Sequence, residues 1–308
     1  MSVPSTQSIV QSAWRDQAIW SAAASRLKAD LTRWRSLAAV AGVVGAVLTT
    51  LAGVLTGFGQ DWWAVRAVLA LVGAIVLAVV PYVTRTKTSK DRVRDWVRAR
   101  SASEALKEAI YRYLVGVPPF APAPAPAVLI KRSQEIKEKV RDLSRYVAGV
   151  EAAPRADRPL QLSVDGYVDQ RVNDQIELYY RPRGKESALA AKNLHAWEFR
   201  LGLIAVILAA AASAATATSL SWLAAISPWV AVATTAGASV TAHLAAARYD
   251  QAALTYFATA DRLTALRDEW LVDPNRLAPP RVVKLVDDCE HAISTENEAW
   301  MVDWTRDT

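Results

Sequence analysis

At 308 residues the chain can form one large or two ordinary domains, and 52% hydrophobic with 21% charged residues is too polarised a mixture for an evenly patterned soluble protein. The single cysteine, Cys289, excludes an internal disulfide framework and any multi-cysteine metal site. A net charge of +6 is compatible with nucleic acid or with a membrane, and the placement of the bases decides between them.

The opening residues MSVPSTQSIVQSAWRDQAIW have no apolar core and no cleavage pattern, so no signal peptide is expected there. The apolar stretch that follows, LAAVAGVVGAVLTTLAGVL, predicts a first span over about 37–56, and WWAVRAVLALVGAIVLAVVPYV predicts a second over about 62–83. Each covers the ~30 Å of a hydrocarbon core at ~1.5 Å per helical residue. Between them lies TGFGQDWWAVR, read as the tip of a helical hairpin. Gly57 and Gly59 end the first helix, and Asp61 is placed to cap the second. Trp62 and Trp63 sit at headgroup level and Arg66 reaches back to the same interface, with Trp34 anchoring the other end.

Beyond the second span, Val93, Trp96, Leu106, Ile110 and Leu114 mark an amphipathic helix stopped by GVPP at 116–119. APAPAPA at 121–127 is a stiff spacer. Leu129, Ile136, Val140, Leu143 and Val147 then lie nearly on a heptad, predicting one interaction helix. EAAPRADRPLQL at 151–162 reads as a linker, and a further helix over 164–180 leads through RPRGKES toward the membrane.

From Leu201 to Ala247 there is no charged side chain, about twice the length of one span. The break SLSWLAAISPW divides it into spans of about 201–219 and 228–247, with Ser227 as N-cap, Pro228 as first helical residue, and Trp222 and Trp229 at the interface. The helix is expected to run on to about Leu271, DPNRLAPP to break it, and a last helix to occupy 281–304. Glu296 falls on the apolar side of that last helix, which calls for a basic partner, as a buried pair or as a switch.

Lys and Arg gather before the first span, after the second, before the third and after the fourth, while both short turns lack them. Both termini and the middle segment are therefore expected in the cytoplasm, the chain being a multi-pass membrane protein. The lipid bilayer accounts for the basic charge, and a nucleic acid polymer is not needed. The predicted fold is an all-α integral membrane protein: four transmembrane helices as two hairpins, with long amphipathic cytoplasmic helices. Its segments are 1–118, a first two-span unit; 119–162, spacer, amphipathic helix and linker; and 163–308, a second two-span unit. SEALKEAIYRYLVG (103–116) and ADRLTALRDEWLVD (260–273) share a pattern, so the halves look like a degenerate tandem repeat.

The chemistry of sites is sparse. GVVGAVLTTLAG lies within a span and lacks the lysine of a P-loop, and no nucleophile–base arrangement suggests itself. In DDCEH (287–291) a helix would put Asp287 and His291 on one face and Cys289 elsewhere, which argues against metal. Neither enzyme nor cofactor is expected. The spans hold no mid-membrane ionisable group, which argues against a coupled transporter. They do hold small residues. Gly42, Ala46, Thr49, Gly53 and Thr56, and Ala67, Ala70, Ala74 and Ala78, form candidate packing seams. Ser213, Thr216, Thr234, Thr235 and Ser239 add hydroxyls that either bond between helices or face a water-filled pore.

VDQRVNDQIELYYRPRGKES before the second hairpin and ENEAW at 296–300 resemble the SLATT proteins, two-span membrane effectors found beside bacterial nucleotide-second-messenger systems. WRDQAIWSAAASRLKADLTRW resembles the lead-in of a more divergent copy. The resemblance implies an oligomeric effector that forms pores when a nucleotide-sensing partner fires. Two copies in one chain would halve the chains per ring. A scaffold that recruits partners through its cytoplasmic helices and conducts nothing is the alternative.

The predicted topology has a direct test. Cysteines introduced at Gln60 and Ser221 are expected to react with an impermeant maleimide added outside intact cells, and protection of both would overturn the orientation.

Overall fold

The computed structural model describes residues 5–121, 126–151, 158–217 and 226–306, and every regular element among them is helical. In chain order these are α1 (Thr6–Val54), α2 (Trp63–Thr86), α3 (Lys90–Val115), α4 (Pro126–Lys139), α5 (Ser144–Val147), α6 (Val164–Tyr167), α7 (Arg181–Ala217), α8 (Ser227–Ala247), α9 (Tyr249–Val272) and α10 (Pro279–Arg306). They pack as two compact units. One comprises Met1–Ala29, Lys90–Lys185 and Ala252–Thr308; the other comprises Asp30–Ser89 and Glu186–Gln251. Each unit takes chain from both sequence halves, so the three sequence segments do not coincide with the compact bodies. Spans have apolar side chains to share with spans, and amphipathic faces with amphipathic faces.

The helical unit is organised around α3, whose Val97, Ala99, Leu106, Ala109, Ile110, Tyr111 and Tyr113 are all buried. It packs against α10, α4 and α6. The start of α1 joins the same core through Val10, Ala13, Gln17, Trp20, Ala24 and Leu27, a buried row at alternating three- and four-residue spacing. The Gln17 side-chain amide donates to Ser103 Oγ at 3.0 Å, which satisfies two buried polar groups at once. Gly116, at φ +73°, ends α3 where the backbone must turn left-handed.

The heptad over 129–147 does not form one helix. The chain leaves α4 at Val140 (φ −122°), makes the tight turn Arg141–Leu143 and resumes as α5. Tertiary contact overrides the pattern. Arg98 of α3 grips Asp142 with two bonds of 2.6 and 2.7 Å and donates to the Lys139 carbonyl at 3.0 Å, capping the end of α4. RPRGKES also differs from its reading as a connector. Ser163 caps α6 by accepting from Gly166 N, and helical turns continue without a gap through the π-helical Val168–Asn173 and Gln175–Tyr180 into α7. Gly184 is required there, because a Cβ would sit 2.8 Å from the Phe257 ring.

In the other unit, four helices are long and apolar enough to cross a membrane, the C-terminal part of α1, α2, the C-terminal part of α7, and α8. Only 6% of the most apolar window of α2 and none of that of α7 is buried within the chain. Val68, Leu71 and Ile75 of α2 and Leu203, Val206 and Ile207 of α7 are all exposed, apolar faces that water does not favour. The hairpin tip is two short 3-10 turns, Leu55–Phe58 and Gln60–Trp62, hinged at Gly59 with φ +101°. Asp61 lies in the second turn and makes no capping bond; Trp62 is the N-cap of α2. At the second hairpin Ser227 is already the first helical residue, Ile226 is the N-cap, and again no side chain caps.

The expected continuous helix from the fourth span to Leu271 is broken. Arg248 adopts φ 50°, left-handed, between α8 and α9. For a side chain with a Cβ that conformation costs of order 1–3 kcal/mol and persists only where its surroundings impose it.

The first hairpin closes on glycine. A Cβ on Gly73 would lie 2.8 Å from Thr49 Cγ2 and 3.2 Å from the Thr49 backbone nitrogen. Gly73→Leu is therefore expected to destabilise the chain by about 1–3 kcal/mol through overpacking. Gly53→Leu, where a side chain would enter open space, is expected to leave it unchanged. Thermal unfolding in detergent compares the two, and equal midpoints would overturn the assignment.

Candidate functional site

The α1–α2 contact runs through Gly45, Thr49, Gly73 and Leu77. On α2 the covered positions are Arg66, Leu69, Gly73, Val76, Val80 and Val83. Ala67, Ala70, Ala74 and Ala78 lie one position round the helix and are exposed in the single chain. On α1, Gly42 is buried with Ser239 Oγ 3.4 Å from where its Cβ would be. Ala46 and Thr49 are half-buried, and Gly53 and Thr56 are exposed. The small residues thus divide into a set that closes the hairpin and a set that faces outward.

The hydroxyls bond locally. Thr234 donates to Val230 O or Ala231 O at 3.0 Å, Thr235 to Ala231 O at 2.7 Å and Ser239 to Thr235 O at 2.8 Å. Ser213 is exposed, and the Thr216 side chain lies outside the described residues. Trp62 and Trp63 are exposed, as interfacial rings should be, and Trp229 is half-buried. Trp34 meets Lys87 with the ammonium 5.5 Å from the ring centroid. Trp222 lies outside the described residues, as does the Glu296 side chain.

A buried acid on the apolar face of α10 is Glu290, six residues before Glu296. It and Arg171 are each 1% exposed. The Arg171 guanidinium donates to Glu290 from Nε at 2.9 Å and from Nη2 at 2.7 Å, and Tyr167 OH donates to Oε1 at 3.0 Å. The Tyr111 ring packs beneath the guanidinium at 5.2 Å. Nη1 points toward Glu104 Oε2, 3.6 Å away, and both atoms are buried without a hydrogen-bond partner. One arginine from the π-helical lead-in is thereby held between carboxylates of α10 and α3.

Burial alone would depress Arg171, but Glu290 outweighs it and holds the guanidinium well above its ordinary range. Burial works on the neighbours too. It pushes Tyr167 well up, with Glu290 adding to it, raises Cys289 to about 12, and lowers Lys107, beside Glu104, to about 8. Trp14 and Arg158 close the rim: the indole donates to Pro159 O at 3.0 Å, and the guanidinium stacks 4.6 Å from its ring. This centre is a buried, hydrogen-bonded polar knot.

The rest of DDCEH disperses. Asp287 accepts from Arg112, Asp288 from Lys284, and Cys289 is buried. Among the described residues no three His, Cys, Asp or Glu side chains gather as metal ligands. Sequence reasoning passed over Arg171 and Glu290, although the signal was present. Arg171 is four residues after the buried Tyr167 and Glu290 four after the buried Val286, each on its helix's apolar face.

Residues 167–300 match the family model described as SMODS and SLOG-associating 2TM effector domain 1, the SLATT family, and residues 18–127 match a model described as a protein of unknown function, DUF4231. The second half of the chain is similar to a SLATT-type domain; the matched range begins at Tyr167 and contains Arg171 and Glu290. No curated protein and no solved structure matches the chain.

Removing one partner of a buried ion pair strands the other charge. Arg171→Met and Glu290→Met are each expected to cost about 3–5 kcal/mol, and the double variant with methionine at both positions is expected to recover most of that. Urea unfolding of the detergent-solubilised chain measures the cycle; additive losses would mean the two residues act independently.

Proposed function

We propose that the protein is a bacterial membrane effector whose spans assemble, chain against chain, into a leak that depolarises the inner membrane. Its helical unit, on the cytoplasmic side with both termini, receives a signal from a nucleotide-sensing or second-messenger partner. The reading assigns no enzymatic step, cofactor or metal to the chain.

One observation carries it: the outward face of α2 combines lipid-compatible residues with the alanine row Ala67, Ala70, Ala74 and Ala78. Small residues on an exposed span let a second helix approach closely, where packing replaces the missing hydrophobic drive. The effector description attached to the matched model supports the same reading. A non-conducting scaffold is the second reading. It is favoured by the way Thr234, Thr235 and Ser239 already spend their protons on their own helix. Their oxygen lone pairs can still meet water, so a weakly selective passage needs no further polar group.

Induced expression in cells carrying a potential-sensitive dye is expected to collapse the potential. Gly53→Leu, which the single chain accommodates, is expected to reduce oligomer size on native gels and to blunt that collapse. An unchanged potential with the sensing partner active would favour the scaffold.

A further inference from the structure

The foot of the second hairpin holds a polar chain that the effector reading does not use. Three elements meet there: α7 just before its span, the last turns of α8, and the first turn of α9. Thr241, inside α8, donates to Glu198 Oε1 at 2.6 Å. The other oxygen of Glu198 faces His195 Nδ1 at 3.4 Å, and His195 Nε2 faces Asp250 Oδ2 at 3.0 Å. Glu198 belongs to the covered row Ala191, Leu194, Glu198, Leu201 and Ala205, so its carboxylate lies on the packed side of α7. The span hydroxyl is thus joined to α9 through a carboxylate, an imidazole and a second carboxylate.

The same place holds the only non-glycine residue with positive φ among the described residues, Arg248 at φ 50°. It separates α8 from α9, and the chain crosses both of its sides: Thr241 precedes it by seven residues and Asp250 follows it by two. A left-handed break in an otherwise helical segment persists only where its surroundings over-determine it. The Thr241–Glu198 bond fixes α8 against α7, and the His195–Asp250 bond fixes α9 against α7. Together they hold both arms of the break.

We propose that His195 is the moving part of a proton-operated latch: protonated, it bridges Glu198 and Asp250 and locks the α8–α9 break, and deprotonated, it releases α9. A neutral imidazole has one N–H and can donate to only one of the two carboxylates; the imidazolium donates to both. The charged groups acting on the imidazole are Asp250 on α9 and Glu198 on its own helix, both acidic. On α8, His243 lies by the Tyr249 ring, and Tyr249 faces Arg35 of α1. The hydrogen bonds to Asp250 and Glu198 raise the pKa of His195 above its ordinary 6.5. The latch is therefore fully closed below the ordinary imidazole value and opens as pH rises through the raised one. With the ring about half exposed, added salt weakens it.

The test uses the full chain in detergent micelles and needs no conductance. A fluorinated label on Gln251→Cys, with the buried Cys289 left in place, reports the start of α9 by fluorine NMR. Imidazole resonances are followed in parallel, that of His195 being identified by its loss in His195→Asn. The label signal is expected to shift with the His195 midpoint, above 6.5, and to become pH-independent in His195→Asn. Asp250→Asn is expected to lower the midpoint. A His195 midpoint at or below 6.5, or a label that stays still while His195 titrates, would overturn the latch. A loss of dye signal in cells bears on the leak alone, so the two readings fail separately.

Discussion

Hydrocarbon offers no hydrogen bonds, so a chain that enters it must satisfy its backbone within each segment, and what it shows to lipid must be apolar. That constraint explains the composition as well as the architecture. Four helices carry Val, Leu, Ile and Ala on faces that nothing in the chain covers, and their hydroxyls turn back to their own carbonyls. Even the close contacts follow from it. Where lipid competes equally for every methyl group, only shape distinguishes one helix face from another, and Gly45 and Gly73 supply the shape.

The helical unit obeys the opposite rule. There water is the competitor, burial is rewarded, and a buried charge is the expensive element. The arginine–glutamate pair at its heart is thus weak evidence for stability and better evidence for specificity: Arg171 accepts only an arrangement that brings the acids of α10 and α3 to it together. Its two unsatisfied atoms mark where the arrangement is least complete. Such a centre suits a protein that must hold one state firmly and still be able to leave it.

Much of this was legible in the residues. Span positions, the hairpin at Gly59, the stop at Gly116 and the family resemblance of the second half follow from hydropathy, turn chemistry and soft motifs. The failures share a cause. A heptad over 129–147 predicts a helix because periodicity cannot see Arg98, forty-four residues away from Asp142, waiting to cap α4. The break at Arg248 leaves no trace either, since Ala-Ala-Ala-Arg-Tyr-Asp is good helix sequence and the left-handed turn is imposed from outside. Glu290 escaped notice, because a buried acid is found from the partner across the core and not from its own neighbours. On α2 the alanines suggest a seam by size alone, and within the single chain the helix closes one position round, on Gly73. Spacing fixes a face to within about 100°, and only the neighbours choose among the candidates.

The discontinuous make-up of the helical unit also has a consequence for synthesis. Tyr111 and Glu104 leave the ribosome early, Arg171 follows, and Glu290 emerges only after the fourth span has been made. Until then the arginine has no counter-ion on α10, and α3 lacks the helix with which it packs most extensively. Insertion therefore runs ahead of completion, and a chain interrupted anywhere before its final helix reaches the bilayer unable to finish its helical unit. For a protein read as able to discharge the cell that makes it, that timing places the burden of safety on the last residues translated.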